Sequence, residues 1–266
     1  MIKNRIAVKV GTSTITNEQG AIDYRAIDNL CKVLSAVENS GNEVVLISSG
    51  AIAVGANKMR LKERPRQLRM KQAAAAVGQC ELMHIYDKFF GEYDKTVAQI
   101  LLNAEDIDVA EKRRNLTNTL GALLESGVIP IINENDSVSY AEIESETKVF
   151  GDNDTLSAIV ANFCDASTLI LLSDIEGLYN CDPRKDANAK LITRVDKIDD
   201  DLRALASGAG SSRGTGGMVT KLNAAQIVTS RGRDMYIIHG RRPEAIYDII
   251  DGKGAGTRFV GKKSEN

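Results

Sequence analysis

Three consecutive polar residues just past the middle of the chain could bind a ligand. Asp152, Asn153 and Asp154 follow a glycine and precede residues 155–161, whose apolar positions have helical spacing. One Asp or Asn is enough to cap a helix, because its side chain satisfies free N–H groups of the first turn. Three in a row favour a site that holds a ligand or orients cations, and a well-capped helix is the simpler alternative.

Two lysines from distant parts of the chain are candidates for binding an anion. Lys9 lies in the run IAVKVG with apolar neighbours on both sides, where a buried lysine would need an anionic partner. Lys221 ends the segment 214–221, GTGGMVTK, whose glycines would let backbone N–H groups approach a phosphate at a helix start. The alternatives are an edge lysine that reaches solvent and a plain surface linker.

These residue types suit phosphoryl transfer. That reaction needs positive charge on the oxygens of the moving group and a fixed nucleophile, but little covalent help. Lys9, Lys221 and backbone N–H groups meet the first need, and nearby carboxylates can hold the lysines or share a Mg²⁺. Ser49 and the run NEND at 133–136 could bind a small polar acceptor. The sequence has no Walker A loop, no GxGxxG and no protein-kinase signature.

Composition and charge argue against several classes of protein. The 266 residues carry a net charge of −2 with both signs mixed, which indicates no nucleic-acid-binding tail. No apolar run reaches the roughly 18 residues of a membrane span, and the N-terminus lacks a signal-peptide pattern. The four cysteines have no C-x-x-C spacing and the two histidines are far apart, so we predict neither a disulfide framework nor a protein-only metal site. We therefore expect a cytoplasmic protein with no nucleic-acid or membrane partner.

Strand-like and helix-like segments alternate, which predicts an α/β fold, a three-layer sandwich with helices on both faces of a mostly parallel central sheet. Seven strands are predicted, at 6–10, 44–47, 97–102, 128–133, 168–172, 235–238 and 257–260. The predicted helices are 22–37, 66–93, 113–125, the helix that follows Asp152, 198–206, 218–230 and 243–250.

Two further points concern the predicted strands. Pro130 in the fourth one indicates an end position or irregular hydrogen bonding. Ligands of open α/β sheets bind beyond the carboxyl ends of the strands, where Lys9, residues 48–50, residues 133–136 and Asp174 all lie.

Six motifs, spread over nearly the whole chain, resemble those of the amino acid kinase family. They are VKVGTST at 8–14, SSGAIAVG at 48–55, IPIINENDSV at 129–138, FGDNDTLSA at 150–158, LLSDIEGLY at 171–179 and GTGGMVTK at 214–221. The resemblance implies that family's fold over residues 1–260, with an acceptor-binding lobe at about 1–165, a nucleotide-binding lobe at about 166–260 and a short tail at 261–266. VKVGTST, NEND and GDND favour the members that phosphorylate L-glutamate to L-glutamate 5-phosphate, the first step of proline biosynthesis.

The resemblance also implies roles for individual residues, with ATP and Mg²⁺ as cofactors. Lys9 and Lys221 would stabilise the transferring phosphoryl group, and Asp154 would organise the two lysines. The residues that match glutamate-binding positions are Ser49, Gly50, Asp136 and Asn153. The residues that match nucleotide-binding segments are Lys9, Gly11, Ser173, Asp174, Thr215, Gly216, Gly217, Met218, Val219, Thr220 and Lys221.

The chain departs from the family pattern in two places. The stretch between Asp136 and Gly151 is longer than usual, so feedback by proline stays open. Many members continue into a C-terminal PUA domain, whereas seven residues follow Phe259 here, and we expect that domain to be missing. A homodimer or homotetramer is expected from the family. The alternatives are a non-catalytic sensor of glutamate, proline or nucleotide, which loss of a catalytic residue would favour, and a family kinase with another carboxylate acceptor.

Overall fold

The computed structural model describes residues 4–17, 19–138, 152–208 and 217–262. Within these residues the strands build an eight-stranded sheet and a separate two-stranded hairpin. The strands of the main sheet are β1 (Arg5–Val10), β2 (Glu43–Ile47), β3 (Val97–Leu102), β4 (Ile129–Glu134), β5 (Thr168–Ser173), β8 (Arg194–Val195), β9 (Asp234–His239) and β10 (Thr257–Phe259). The hairpin consists of β6 (Leu178–Tyr179) and β7 (Leu191–Ile192).

Helices cover both faces of the sheet. They are α1 (Thr12–Ile15), α2 (Tyr24–Asn39), α3 (Ala51–Lys58), α4 (Leu68–Gly91), α5 (Ala104–Asp108), α6 (Ala110–Glu125), α7 (Asn153–Phe163), α8 (Asp200–Gly208), α9 (Met218–Thr229) and α10 (Ala245–Ile250). None of these helices is long and apolar enough to cross a bilayer.

The sheet is parallel except at one pair. Its strand order is β3-β4-β2-β1-β5-β9-β10-β8, and among the described strands of this sheet only β9 and β10 run antiparallel. The predicted three-layer, mostly parallel α/β sandwich is confirmed. Because β1 pairs with β5, the sheet crosses the boundary expected near residue 165 without a break.

Alternation along β1 divides the hydrophobic core into two clusters, one on each face. Ala7 belongs to the cluster beneath α7 and α9, whereas Val8 belongs to the cluster beneath α2 and α4. Side chains two residues apart on a strand share a face. Lys9, two residues after Ala7, is therefore directed to the face that α7 and α9 cover.

The seven predicted strands are all present, with ends that differ by at most one residue. The short elements α1, α3, α5, β6, β7 and β8 were not predicted. Pro130 is the second residue of β4, which is an interior strand between β3 and β2. The pairing of β4 with β2 begins at Ile131, just after the proline, so the missing N–H interrupts no bond of that ladder.

Helices α3 and α4 cross in direct backbone contact. A Cβ atom at Gly55 would lie 1.7 Å from the carbonyl oxygen of Ala74, and one at Gly78 would lie 1.8 Å from the carbonyl oxygen of Ala51. Both distances are far below van der Waals contact, so only glycine fits at either position. The crossing places α4 directly behind the residues that follow β2.

Candidate active site

Three charged residues meet at the carboxyl end of β1. Lys9 is the penultimate residue of β1, Asp154 lies in the first turn of α7, and Lys221 lies in the first turn of α9. Lys9 Nζ is 2.7 Å from Asp154 Oδ1, and Lys221 Nζ is 3.0 Å from Asp154 Oδ2. All three are buried, with Asp154 only 1% exposed. We call these residues the lysine–aspartate cluster.

The cluster keeps Asp154 ionised. Burial by itself would raise the pKa of this carboxyl, but the charges of Lys9 and Lys221 and their hydrogen bonds outweigh burial and hold the pKa at about 2. One carboxylate between two ammonium groups leaves a net positive charge in a buried site. Such a site is suited to an anion whose negative charge is spread over several oxygens.

Thr220 also contacts the cluster, which the sequence did not indicate. Its hydroxyl oxygen lies 3.0 Å from Asp154 Oδ2 and 2.8 Å from the carbonyl oxygen of Gly217. Thr220 was predicted only as part of a nucleotide-binding segment. The hydroxyl links the start of α9 to the carboxylate that both lysines share.

The three polar residues at the start of α7 divide into one cap and two site residues. Asp152 is the N-cap, and its Oδ1 accepts a hydrogen bond of 2.8 Å from the backbone N–H of Thr155. Asn153 and Asp154 are thereby left for other contacts. Asn153 Nδ2 donates a hydrogen bond of 2.7 Å to Ser49 Oγ. The start of α7 therefore joins the lysine–aspartate cluster to the residues that follow β2.

Two glycines lie beside these residues. Gly50 has a φ of +97°, in the left-handed region that favours glycine, and caps the start of α3. A Cβ atom there would lie 3.3 Å from Thr12 Cγ2. A Cβ atom at Gly11 would lie 3.8 Å from Lys9 Nζ, which is ordinary contact. Both predicted glycines therefore border the end of β1.

Asp136 is a partly buried carboxylate without a partner in the described part of the chain. It follows β4, the neighbour of β2 in the sheet, and no described cation or hydrogen-bond donor contacts it. Burial, and then the nearby charge of Glu134, raise the pKa of Asp136 to about 6. A carboxylate in this state would gain from a bound cation.

The other predicted nucleotide-binding residues lie at the carboxyl end of β5 and at the start of α9. Ser173 Oγ donates to Asp174 Oδ1 at 3.2 Å, and Arg184 Nη2 lies 3.6 Å from Asp174 Oδ2 on the exposed side. Gly217 precedes α9, whose first residues are the buried Met218 and the exposed Val219. The predicted Thr215 and Gly216 lie outside the described residues. Arg184 was not predicted as a site residue.

The described residues contain no group of three His, Cys, Asp or Glu side chains that could hold a metal ion. The carboxylate nearest the anion site, Asp154, is already bound by two lysines. Mg²⁺ commonly binds through one or two carboxylates together with substrate phosphates. The described residues therefore fit a Mg²⁺ that arrives with a nucleotide better than one held in a protein cage.

Two buried side chains of α4 contact the residue that follows β2 and a residue at the end of β4. Asn133 Nδ2 donates to Gln79 Oε1 at 2.9 Å, and the hydroxyls of Ser48 and Tyr86 are 2.9 Å apart. Neither α4 residue was predicted. Their separation, about two helical turns on one face, is the only sequence signal, and it is shared by ordinary core residues.

Comparison with known proteins places these features in a family. The amino acid kinase family model matches residues 4–239. A glutamate 5-kinase of Clostridium perfringens (strain 13 / Type A) is 52% identical, over 98% of this chain and 97% of that protein. A glutamate 5-kinase of Listeria innocua is 49% identical, over 98% of this chain and 94% of that protein.

Solved structures share the fold at much lower identity. Carbamate kinase from Giardia lamblia bound to AMP-PNP aligns with a TM-score of 0.68 at 13% identity, over 97% of this chain and 99% of that chain. The product complex of T. acidophilum isopentenyl phosphate kinase aligns with a TM-score of 0.65 at 19% identity, over 96% of this chain and 99% of that chain. The resemblance seen in the sequence motifs is confirmed. The chain belongs to the amino acid kinase family, and its near relatives there are glutamate 5-kinases.

Proposed function

We propose that the chain transfers the γ-phosphoryl group of ATP to the side-chain carboxylate of L-glutamate, giving L-glutamate 5-phosphate and ADP. This reaction is the first step of proline biosynthesis. The single observation that carries the proposal is the lysine–aspartate cluster, with its 2.7 Å and 3.0 Å contacts, in a chain 52% identical to a glutamate 5-kinase. The products are a mixed anhydride and a nucleoside diphosphate, and no covalent enzyme intermediate is needed.

Phosphoryl transfer to a carboxylate requires the protein to position the two substrates and to stabilise negative charge. The attacking carboxylate is already ionised at neutral pH, so no general base is required. Lys9 and Lys221 would stabilise the charge that develops on the phosphoryl oxygens, where loss of one donor costs about 3–4 kcal/mol of transition-state stabilisation. Asp154, with a pKa of about 2, would keep both ammonium groups in place and would not accept a proton during the reaction.

The acceptor would bind between β2, β4 and α7. Asp136 would pair with the α-ammonium of glutamate, because it is a carboxylate whose pKa of about 6 reflects burial without a cation. Ser49 and Asn153, joined by a 2.7 Å hydrogen bond, and the backbone at Gly50 would orient the carboxylates. An N-acetylated acid carries a neutral amide in place of the ammonium and would leave Asp136 unpaired, which disfavours it.

The nucleotide would bind across the ends of β1 and β5 and the start of α9. Its phosphates would lie near Lys9, Gly11 and residues 217–221, and its nucleoside near Ser173 and Asp174. Thr215 and Gly216 belong to this proposal through the family motif. Mg²⁺ would bind to phosphate oxygens and water, and when bound it would neutralise part of the phosphate charge.

A hydroxamate assay over a panel of acids tests the proposal. With ATP and Mg²⁺, hydroxylamine should trap a hydroxamate from L-glutamate, and N-acetylglutamate should give a kcat/KM lower by a factor of several hundred. Release of ADP without a trapped hydroxamate would identify a hydroxyl or phosphate acceptor instead. Glutamate or nucleotide binding with no ADP release would favour the non-catalytic sensor.

Four further properties are proposed from the family alone. We infer a cytoplasmic homodimer or homotetramer, feedback inhibition by proline, and a division into acceptor and nucleotide lobes near residue 165. Sedimentation velocity measures the oligomeric state, and kinetics with added proline measures the feedback. A monomer, or activity unchanged by millimolar proline, would remove the corresponding property.

A further inference from the structure

We propose that Gln79 and Tyr86 are positioning residues through which α4 holds both acceptor-binding segments from behind. The segments are residues 48–50, after β2, and residues 133–136, at the end of β4. The inference rests on the proposed function for the identity of the acceptor, but not for the contacts themselves. It concerns affinity for the acceptor and leaves the lysine–aspartate cluster to the chemistry.

Strand alternation directs two polar side chains of these segments toward α4. Leu46 and Ile131 are opposite each other in the register of β2 and β4, and both pack in the cluster beneath α4. Ser48 and Asn133 each follow two residues later, so they are directed to the same face. Lys9 is directed to the opposite face, beneath α7 and α9. Ser48 and Asn133 therefore cannot join the phosphoryl site.

Gln79 orients the segment after β4 through Asn133. Asn133 Nδ2 donates to Gln79 Oε1 at 2.9 Å, while Asn133 Oδ1 accepts a 2.9 Å hydrogen bond from the backbone N–H of Glu134. Asn133 is 1% exposed, so its amide is committed to these contacts and shapes the turn that carries Asp136. A buried amide that lost Gln79 would have an unsatisfied donor and would shift to find another acceptor.

Tyr86 orients the segment after β2 through Ser48. Its hydroxyl lies 2.9 Å from Ser48 Oγ, and its side chain is fully buried. Burial raises the pKa of this phenol, so it stays neutral and available for hydrogen bonding. The backbone N–H of Ser48 also donates to the carbonyl oxygen of Ile132 at 2.8 Å, which ties the two segments to each other.

The two contacts should therefore set the geometry of the acceptor pocket alone. Asp136 is three residues beyond Asn133, and Ser49 is adjacent to Ser48, so a shift of either segment moves the groups proposed to bind the acceptor. The residues proposed to bind ATP lie on β1, β5 and α9, which do not depend on these hydrogen bonds. Loss of either contact should raise the KM for the acceptor and leave the KM for ATP unchanged.

Two conservative variants of the full chain test this expectation. Gln79→Met keeps the length of the side chain without its amide, and Tyr86→Phe removes a single oxygen atom. Each should raise the KM for glutamate at least fivefold, with the KM for ATP within twofold of wild type. The matched controls are Tyr93→Phe, which removes the hydroxyl bonded to Asp28 at 2.9 Å, and Thr229→Val, which removes a buried hydroxyl bonded to Ala225 at 2.8 Å. Both controls should keep both KM values within twofold.

A double-mutant cycle separates positioning from general loss of stability. In an Asn133→Ala background, Gln79→Met should add less than a twofold change to the KM for glutamate, because the partner of Gln79 is already gone. An unchanged KM in both single variants, equal rises in both KM values, or additive effects in the cycle would each overturn the inference. If Gln79→Met does not fold, Tyr86→Phe carries the same test alone.

The outcome is separable from that of the proposed function. If wild type uses another acid in place of glutamate, the proposed function fails, and the same KM ratios measured with that acid decide the inference. If wild type phosphorylates no acid at all, both fail together.

Discussion

Replacement of Asp136 by asparagine should stabilise the free protein while it weakens binding of the acceptor. Burial and the charge of Glu134 raise the pKa of Asp136 to about 6 from its ordinary value of 3.8. A difference of about two pH units corresponds to about 3 kcal/mol, by which the ionised carboxylate destabilises the fold. The asparagine side chain would carry no charge and would avoid most of that cost.

The sign of the effect depends on pH. Because the folded pKa is above the unfolded one, the fold is favoured below about pH 4, where Asp136 is protonated in both states. That advantage is lost as the pH rises through 6. Asp136→Asn should therefore exceed wild type in free energy of unfolding by up to about 3 kcal/mol at pH 7.5, and the gap should close near pH 4.

Urea denaturation at pH 7.5, 6 and 4 measures this gap, and steady-state kinetics measures the accompanying rise in the KM for glutamate. Asp87→Asn, on an exposed face of α4, is the control and should change stability by less than about 0.5 kcal/mol at every pH. A variant no more stable than wild type at pH 7.5, or a gap independent of pH, would refute the view that Asp136 is a desolvated carboxylate awaiting a cation.

Three other expectations follow from the site and its surroundings. Lys9→Met and Lys221→Met should each lower kcat by about 10²–10³ with little change in the KM for glutamate. A variant with more than half of wild-type kcat would remove that lysine from the mechanism. Asp154→Asn should lose about 2 kcal/mol of stability above pH 4 relative to wild type, because its pKa of about 2 lies below its ordinary value of 3.8. That difference in stability should shrink as the pH falls toward 2. Urea titrations at pH 6 and pH 2.5 measure it, and a difference that is equal at the two pH values would contradict the expectation. Gly240→Ala should lower stability by about 1–3 kcal/mol, because its Cβ atom would lie 2.2 Å from Thr14 Oγ1. An unchanged melting temperature would contradict this expectation and would show that α1 can shift to make room for the methyl group.

The residues of the lysine–aspartate cluster could be predicted from sequence because each is a charged residue where the local pattern favours an uncharged one. Lys9 interrupts an apolar run, and Asp154 and Lys221 follow glycines at helix starts, so each stands out against the pattern of a buried strand or a capped helix. Their meeting follows from parallel strands, whose carboxyl ends share one edge. The assignment of Asp152 as the cap could not be predicted, because three adjacent polar residues can each cap a helix and backbone geometry selects one.

Other features needed the folded chain. Helix α3, with sequence AIAVGANK, has too few periodic positions to be recognised, and its glycine is explained only by contact with α4. The bond between Gln79 and Asn133 spans 54 residues, and no local pattern encodes a contact of that kind. Asp136 has no cation or hydrogen-bond donor beside it in the described part of the chain. This too depends on which residues surround it in the folded protein, so the sequence could not show it.

The crossing of α3 and α4 has a consequence for motion. With Gly55 against Ala74 and Gly78 against Ala51, no layer of side chains separates the two helices, so no change of rotamer lets one slide along the other. Backbone amides at the crossing should exchange with deuterium only through unfolding of the whole sheet and its helices. The segment that begins α3 should thus share the slowest fluctuations of the protein, so this side of the proposed acceptor pocket should have its shape before the acceptor binds.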